Sequence, residues 1–163
     1  MMHVALPFGC DLLVSAANDA IVTSDFVTKR RRTSREAPPL SPLLREARVQ
    51  IEAYLQRRLQ RFDLPLHYEG TPFEEAAWRA ACELNFGESA SYADLARAIG
   101  RPFAHRGVAR AMGRSPLALF IPAHRVIGAD GRIKGAAPTS MRARLLAFER
   151  SASRASVRGR GAR

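Results

Sequence analysis

Apolar positions along this 163-residue chain change their spacing from one stretch to the next, and each spacing names an element. Residues 3 to 27, HVALPFGCDLLVSAANDAIVTSDFV, carry short runs rich in β-formers, separated by Gly9-Cys10-Asp11 and by Asn18-Asp19. That pattern predicts a three-strand meander. Between Leu43 and Phe62 the period changes: Leu44, Ala47, Ile51, Tyr54, Leu55 and Leu59 recur at three and four. The spacing predicts one amphipathic helix with Arg45, Arg48, Arg57, Arg58 and Arg61 mostly outside. DLPLHYEGTPF follows as an extended linker, because Pro65 and Pro72 break any helix, and a domain boundary is expected near Gly70.

The second half reads as helices. Thr71 can cap a helix running to Leu84, with Pro72 in its first turn and Glu74-Glu75 complementing its dipole. Phe73, Ala77, Trp78 and Ala81 share one face, which makes Trp78 a core residue rather than a ligand stacker. Ser91 opens a helix over ADLARAIG, with Asp94 in its first turn and Gly100 near its end. After Arg101-Pro102 another runs through AHRGVARAMG to about Gly113, giving helix-turn-helix proportions. Met141 to Arg150 forms a last amphipathic helix, and SASRASVRGRGAR, with no periodicity and no acid, is expected to be a disordered basic tail.

Composition sharpens this. An apolar fraction of 47% supports a packed core, and 163 residues suit one ordinary domain or two small ones. Lys and Arg number 26 against 15 Asp and Glu, a formal charge of +11 that favours a polyanionic partner, most simply nucleic acid. The Lys29 to Arg32 run reads as a solvated loop with phosphate contact as the other reading. Cys10 and Cys82 stand far apart and in no metal-ligand spacing, so neither a disulfide framework, nor a metal site, nor a cofactor is expected. No apolar run approaches the ~20 residues of a membrane span and no leader pattern opens the chain, so the expectation is a cytoplasmic protein without a membrane partner.

The candidate chemistry lies in Ile121 to Gly128, IPAHRVIG, after the apolar run Leu117 to Phe120. His124 and Arg125 sit between apolar flanks and need partners or water. A satisfied buried histidine and a functional site both remain open on those residues alone. With GESASYADLARAIGRP before it and GADGRIKG after it, the motif resembles the DNA-binding domain of the O6-alkylguanine-DNA alkyltransferases, over about residues 70 to 150. There the pattern is Pro-Cys-His-Arg, with the cysteine accepting the alkyl group; here the cysteine's place is held by Ala123.

The resemblance implies an α/β (α+β) fold. A small sheet-and-helix domain of ribonuclease H-like type would occupy 1–69, a mostly helical winged helix-turn-helix DNA-binding domain 70–150, and the tail 151–163. It implies that Ala104, Gly107 and their small neighbours let the second helix of the pair approach the minor groove, although a tightly packed core helix explains them equally well without it. Arg106 would fill the gap left by a flipped guanine, and Tyr92 would crowd the phosphate that rotates with it, unless it simply packs on the core. Arg110 and Ser115 complete the expected DNA-binding set, with His105 and Arg110 departing from the family's small residues.

In active members a thiolate is activated through His and a distal Glu. His124, Arg125 and Glu149 match those positions, but Ala123 has neither lone pair nor dissociable proton. The lesion pocket is expected to include Pro122, Ala123, Ala136 and Ala137. Ala136-Ala137-Pro138 replaces the family's Tyr-containing lid and is one residue shorter, and Ser115-Pro116 stands where many members have Asn-Pro. Loss of the lid together with the cysteine speaks against a single engineered change.

The implied function is recognition of O6-alkylguanine in duplex DNA by a monomer, without transfer, with nucleotide excision repair proteins as further partners. The alternative is a methylated-DNA–protein-cysteine S-methyltransferase in an inactive or cysteine-substituted form. A plain helix-turn-helix regulator would need no such motif.

Overall fold

The structure is a computed structural model that describes residues 1–28, 39–135 and 140–159. Three antiparallel strands open it: β1 (Met2–Ala5), β2 (Cys10–Ala17) and β3 (Ala20–Thr28), in the order β1-β2-β3. Met2 and Val4 on β1, and Leu12 and Val14 on β2, alternate inward; Ile21 and Ser24 on β3 are also buried, three apart, because the β2–β3 register shifts by one residue between them. The β2–β3 loop is Asn18-Asp19, both at positive φ (48° and 56°), as a two-residue hairpin with right-handed strand twist requires. The first turn lies earlier than expected, at residues 6–9, so that Cys10 and Asp11 belong to β2.

Helix α1 (Pro42–Leu55) starts at Ser41, whose side chain accepts from the Leu44 N–H, and lays Leu44, Ala47, Ile51 and Tyr54 against the core. It ends seven residues before the sequence spacing suggested. Arg57 takes φ +62°, the Arg57 N–H donates to the Tyr54 carbonyl, and the Arg58 N–H donates to the Ala53 carbonyl. These bonds form a Schellman stop, built on an arginine where glycine is usual. Leu59 packs on the core from outside the helix. The expected linker is also more than a linker: the Ile21 N–H donates to Pro65 O at 2.8 Å and the His67 N–H to Ile21 O at 2.9 Å. Leu66 thereby forms a parallel bridge to β3.

Helix α2 (Pro72–Cys82) begins with a reciprocal capping box between Thr71 and Glu74 and buries Ala77, Trp78 and Ala81. Trp78 is core, and its Nε1 donates to Ala111 O at 2.9 Å. Gly70 allows that packing, because a Cβ there would stand 2.7 Å from the indole. A second capping box, Ser91 with Asp94, starts α3 (Tyr92–Ala98), and α4 (His105–Gly113) follows the Gly100 turn. The residue before α3 belongs to a short strand, β4 (Ala90–Ser91), which pairs in parallel with β5 (Val126–Ile127). Between α4 and β5, a single 3-10 turn spans Ala123–Arg125.

The last helix, α5 (Met141–Gly159), runs nine residues beyond the expected end at Arg150. Residues 151–158 contain no Pro or Gly to stop it. The stretch expected as a disordered tail is therefore helical as far as Gly159. The Lys29–Arg32 run lies outside the described residues. The two halves share one core in which Leu12, Ile51, Trp78, Leu117 and Leu145 are all members. No helix among the described residues is long and apolar enough to cross a membrane.

Candidate active-site network and nucleic-acid interface

Glu149 is fully buried on α5, and a buried carboxylate must be neutralised or hydrogen-bonded. Here it is both. Arg125 reaches it through Nε (3.0 Å to Oε2) and Nη2 (3.0 Å to Oε1). His124 Nε2 lies 2.7 Å from Oε1, the Tyr54 hydroxyl donates to Oε1 at 2.9 Å, and the Gly87 N–H donates to Oε2 at 2.9 Å. Gly87 sits at φ +80°, a conformation that suits glycine and aims its N–H at the carboxylate. Arg125 also donates through Nη1 to Leu84 O at 2.6 Å, tying the α2–α3 loop to the same centre.

Burial opposes ionisation of Glu149, but the His124 and Arg125 hydrogen bonds and charges outweigh it and bring its carboxyl down to about 2. Burial lowers His124 despite the attraction of Glu149. Tyr54 is raised by its burial and by the neighbouring Glu149 carboxylate. An ionised carboxylate only accepts, so His124 must donate from Nε2, and in the neutral ring Nδ1 is left as an acceptor.

His124 and Ala123 line a cavity of about 510 Å³, within the roughly 300–1,000 Å³ usual for small-molecule sites. Its wall also includes Asp25 and Phe26 of β3, Leu119, Met141 and Arg142. The turn before the site is held from the sheet: the Ala118 N–H donates to Ser24 O at 2.8 Å, and Ser24 Oγ donates to Ala118 O at 2.7 Å. Leu119 follows at φ +72°, a strained conformation for a branched residue. Its burial and the flanking bonds maintain that conformation.

The sequence-derived residues do not all come together. His124, Arg125 and Glu149 are brought into one network, and Ala123 presents its methyl group to the cavity at 4% exposure. Ser115 lines the cavity, and its buried Oγ has no hydrogen-bond partner among the described residues. Pro122 is buried but is not among the lining residues, while Ala136 and Ala137 lie outside the described residues.

Arg106 and Arg110 are exposed on α4, and neither pairs with an acid among the described residues. Tyr92 is buried, and its hydroxyl accepts from the Lys134 N–H at 3.0 Å. Ala104 caps α4 without a side-chain bond. A Cβ on Gly107 would meet the Phe73 ring at 3.0 Å, so its smallness serves the packing of α4 on α2, the packing alternative that the sequence left open.

Sequence reasoning missed Tyr54, Gly87 and Arg142. Tyr54 carried only a helical-core signal, and Gly87 no local signal at all. Arg142, whose Nη2 donates to Gly113 O at 3.2 Å, stands one residue after the start of the last helix, outside the motifs. Neither thiol lines the cavity, and burial raises both, Cys82 to about 11.

The family model for the DNA-binding domain of 6-O-methylguanine DNA methyltransferase matches residues 72–151. A methylated-DNA–protein-cysteine methyltransferase of Methanosarcina barkeri is 39% identical over 126 residues, covering 76% of this chain and 80% of that protein. The constitutive enzyme of that name from Bacillus subtilis is 36% identical over 151 residues, 88% and 91% of the two chains. The crystal structure of Mycobacterium tuberculosis OGT in complex with DNA superposes with a TM-score of 0.76 at 31% identity, over 91% of each chain.

Proposed function

The chain belongs to the methylated-DNA–protein-cysteine methyltransferase family, and from that premise we propose that it binds O6-alkylguanine in duplex DNA without removing the alkyl group. One observation carries the reading: the residue facing the cavity beside His124 is Ala123. Transfer needs a nucleophile within about 3.5 Å of the alkyl carbon, with a lone pair to form the new bond as the C–O bond breaks. A methyl group has none. Cys10 and Cys82 lie outside the cavity, and burial favours their protonated thiols. His124 and Glu149 remain as a positioned pair with nothing to activate.

In this reading α4 enters the minor groove, Arg106 occupies the space of the flipped nucleotide, and Tyr92 and Ser115 border its path. The cavity receives the base. Residues 70–150 carry the DNA contact, and a monomer hands the marked site to nucleotide excision repair proteins. The exposed arginines of α4 and the +11 charge support a duplex partner.

The intact Glu149 network favours a second reading, a methyltransferase of this family that transfers the alkyl group to a different cysteine. Incubation with duplex carrying O6-[methyl-labelled]guanine separates the two. No label is expected on the protein, together with tighter binding to the lesion duplex than to its undamaged match. S-methylcysteine at Cys10 or Cys82 would overturn the first reading, and equal affinity for both duplexes would leave only a general DNA binder.

A further inference from the structure

Phe103 is 94% exposed, the most exposed large apolar side chain among the described residues. It lies in the turn that leads into α4, separated from Arg106 by Ala104 and His105. Its immediate setting is basic and open: Arg101 and Arg106 are both exposed. No acidic residue occurs between Asp94 and Asp130, whereas that span holds Arg97, Arg101, Arg106, Arg110, Arg114 and Arg125. Arg97 pairs with Asp94, Arg114 with Glu74 and Arg125 with buried Glu149, whereas Arg101, Arg106 and Arg110 are exposed and pair with no acid among the described residues. A solvent-facing aromatic ring beside these three cations matches a partner that offers negative charge and flat apolar surfaces side by side. Duplex DNA does so, with phosphates along each strand and base planes between them.

We infer that Phe103 is a second stacking group of the DNA interface, wedging against a base step next to the one at which Arg106 acts. Apolar wedges of this kind partly unstack a step from the minor groove and hold the duplex bent around the protein. The inference rests on the functional reading above. It adds an uncharged contact whose contribution does not depend on counterion release, in contrast to the arginines around it.

The single tryptophan, Trp78, is buried with its Nε1 on Ala111 O, so the Phe103→Trp variant places an exposed indole at the tested position. The full-length wild type, Phe103→Ala and Phe103→Trp are titrated with damaged and undamaged duplexes at two salt concentrations. Phe103→Ala is expected to bind both duplexes about tenfold more weakly with an unchanged salt slope, in line with the loss of one stacking contact. Phe103→Trp is expected to keep wild-type affinity and to lose emission as duplex saturates it. Affinity of Phe103→Ala within twofold of wild type, or indole emission indifferent to DNA, would overturn the inference and leave the functional reading intact. If the wild type bound no duplex at all, both would fall. A change in sedimentation by Phe103→Ala with DNA affinity unaltered would assign the ring to self-association instead.

Discussion

The Tyr54 hydroxyl and Glu149 Oε1, 95 positions apart in sequence, meet at 2.9 Å in the buried centre of the molecule. Tyr54 belongs to α1 and Glu149 to α5, so one hydrogen bond joins the N-terminal half to the carboxylate that organises His124 and Arg125. Tyr54→Phe removes that donor and leaves the others. It is expected to cost about 1.5–3 kcal/mol, the range for a hydrogen bond to a charged group. Glu149→Gln strips Arg125 of its counter-charge in a buried site and is expected to cost more, about 3–5 kcal/mol. Urea denaturation at neutral pH measures both, and the opposite ranking would contradict the central role given to Glu149.

The same centre sets a pH dependence. His124 is buried and lowered from its ordinary value of 6.5, so the unfolded chain takes up a proton there before the folded one does. Its contribution to stability is present above about 6.5 and is lost as pH falls below it. Glu149 stands at about 2 against an ordinary 4.5, so its contribution is present above about 4.5 and disappears between there and about 2. Stability should therefore decline on acidification in two windows. His124→Gln should flatten the upper window and narrow the lower, because His124 is one of the groups that hold Glu149 down. An upper window unchanged by that substitution would show that His124 is not its source.

Arg106→Ala tests the flipping role. Unstacking a base costs a few kcal/mol, and an inserted guanidinium offsets it only when a base has left the helix. The substitution is expected to cost about 1–3 kcal/mol on lesion duplex, in the range of a stacking contact, and less on the undamaged match. A fluorescent base beside the lesion reports extrusion directly. Equal losses on both duplexes, with the salt slope reduced by about one and extrusion unchanged, would make Arg106 a phosphate anchor.

Truncation after Ser151 addresses the end of α5. The cut keeps Ser151, whose Oγ accepts from Arg57 Nη2 at 2.9 Å, and removes Arg154, Arg158, Arg160 and Arg163. Affinity for every duplex should fall alike and the salt dependence should shallow, while the ratio of damaged to undamaged binding holds. A collapse of that ratio would place the end of α5 within lesion recognition.

Local chemistry was legible from the sequence. Thr71-Glu74 and Ser91-Asp94 are reciprocal caps whose partners are three residues apart, and Asn18-Asp19 can supply the two positive φ values of its hairpin. The coming together of His124, Arg125 and Glu149 followed from a family resemblance, since nothing in their spacing requires it. What escaped was non-local or against type. Arg57 ends α1 in a conformation that arginine seldom takes, and Leu66 joins β3 through backbone groups that carry no side-chain signal. Gly87 reaches Glu149 from 62 positions away. The smallness of Gly107 left groove approach and helix packing equally open, and only the fold shows the Phe73 ring beside it.

A thiol at position 123 would leave each molecule chemically altered by the first lesion it met, and the supply of protein would run down with the damage. With only the Ala123 methyl group facing the cavity, an encounter forms no bond. On the proposed function the chain leaves a site as it arrived and can inspect another. Its effect is then governed by residence time rather than by stock. A slow departure from the lesion would prolong the interval in which a repair protein can find it, and that interval is the quantity on which selection could act.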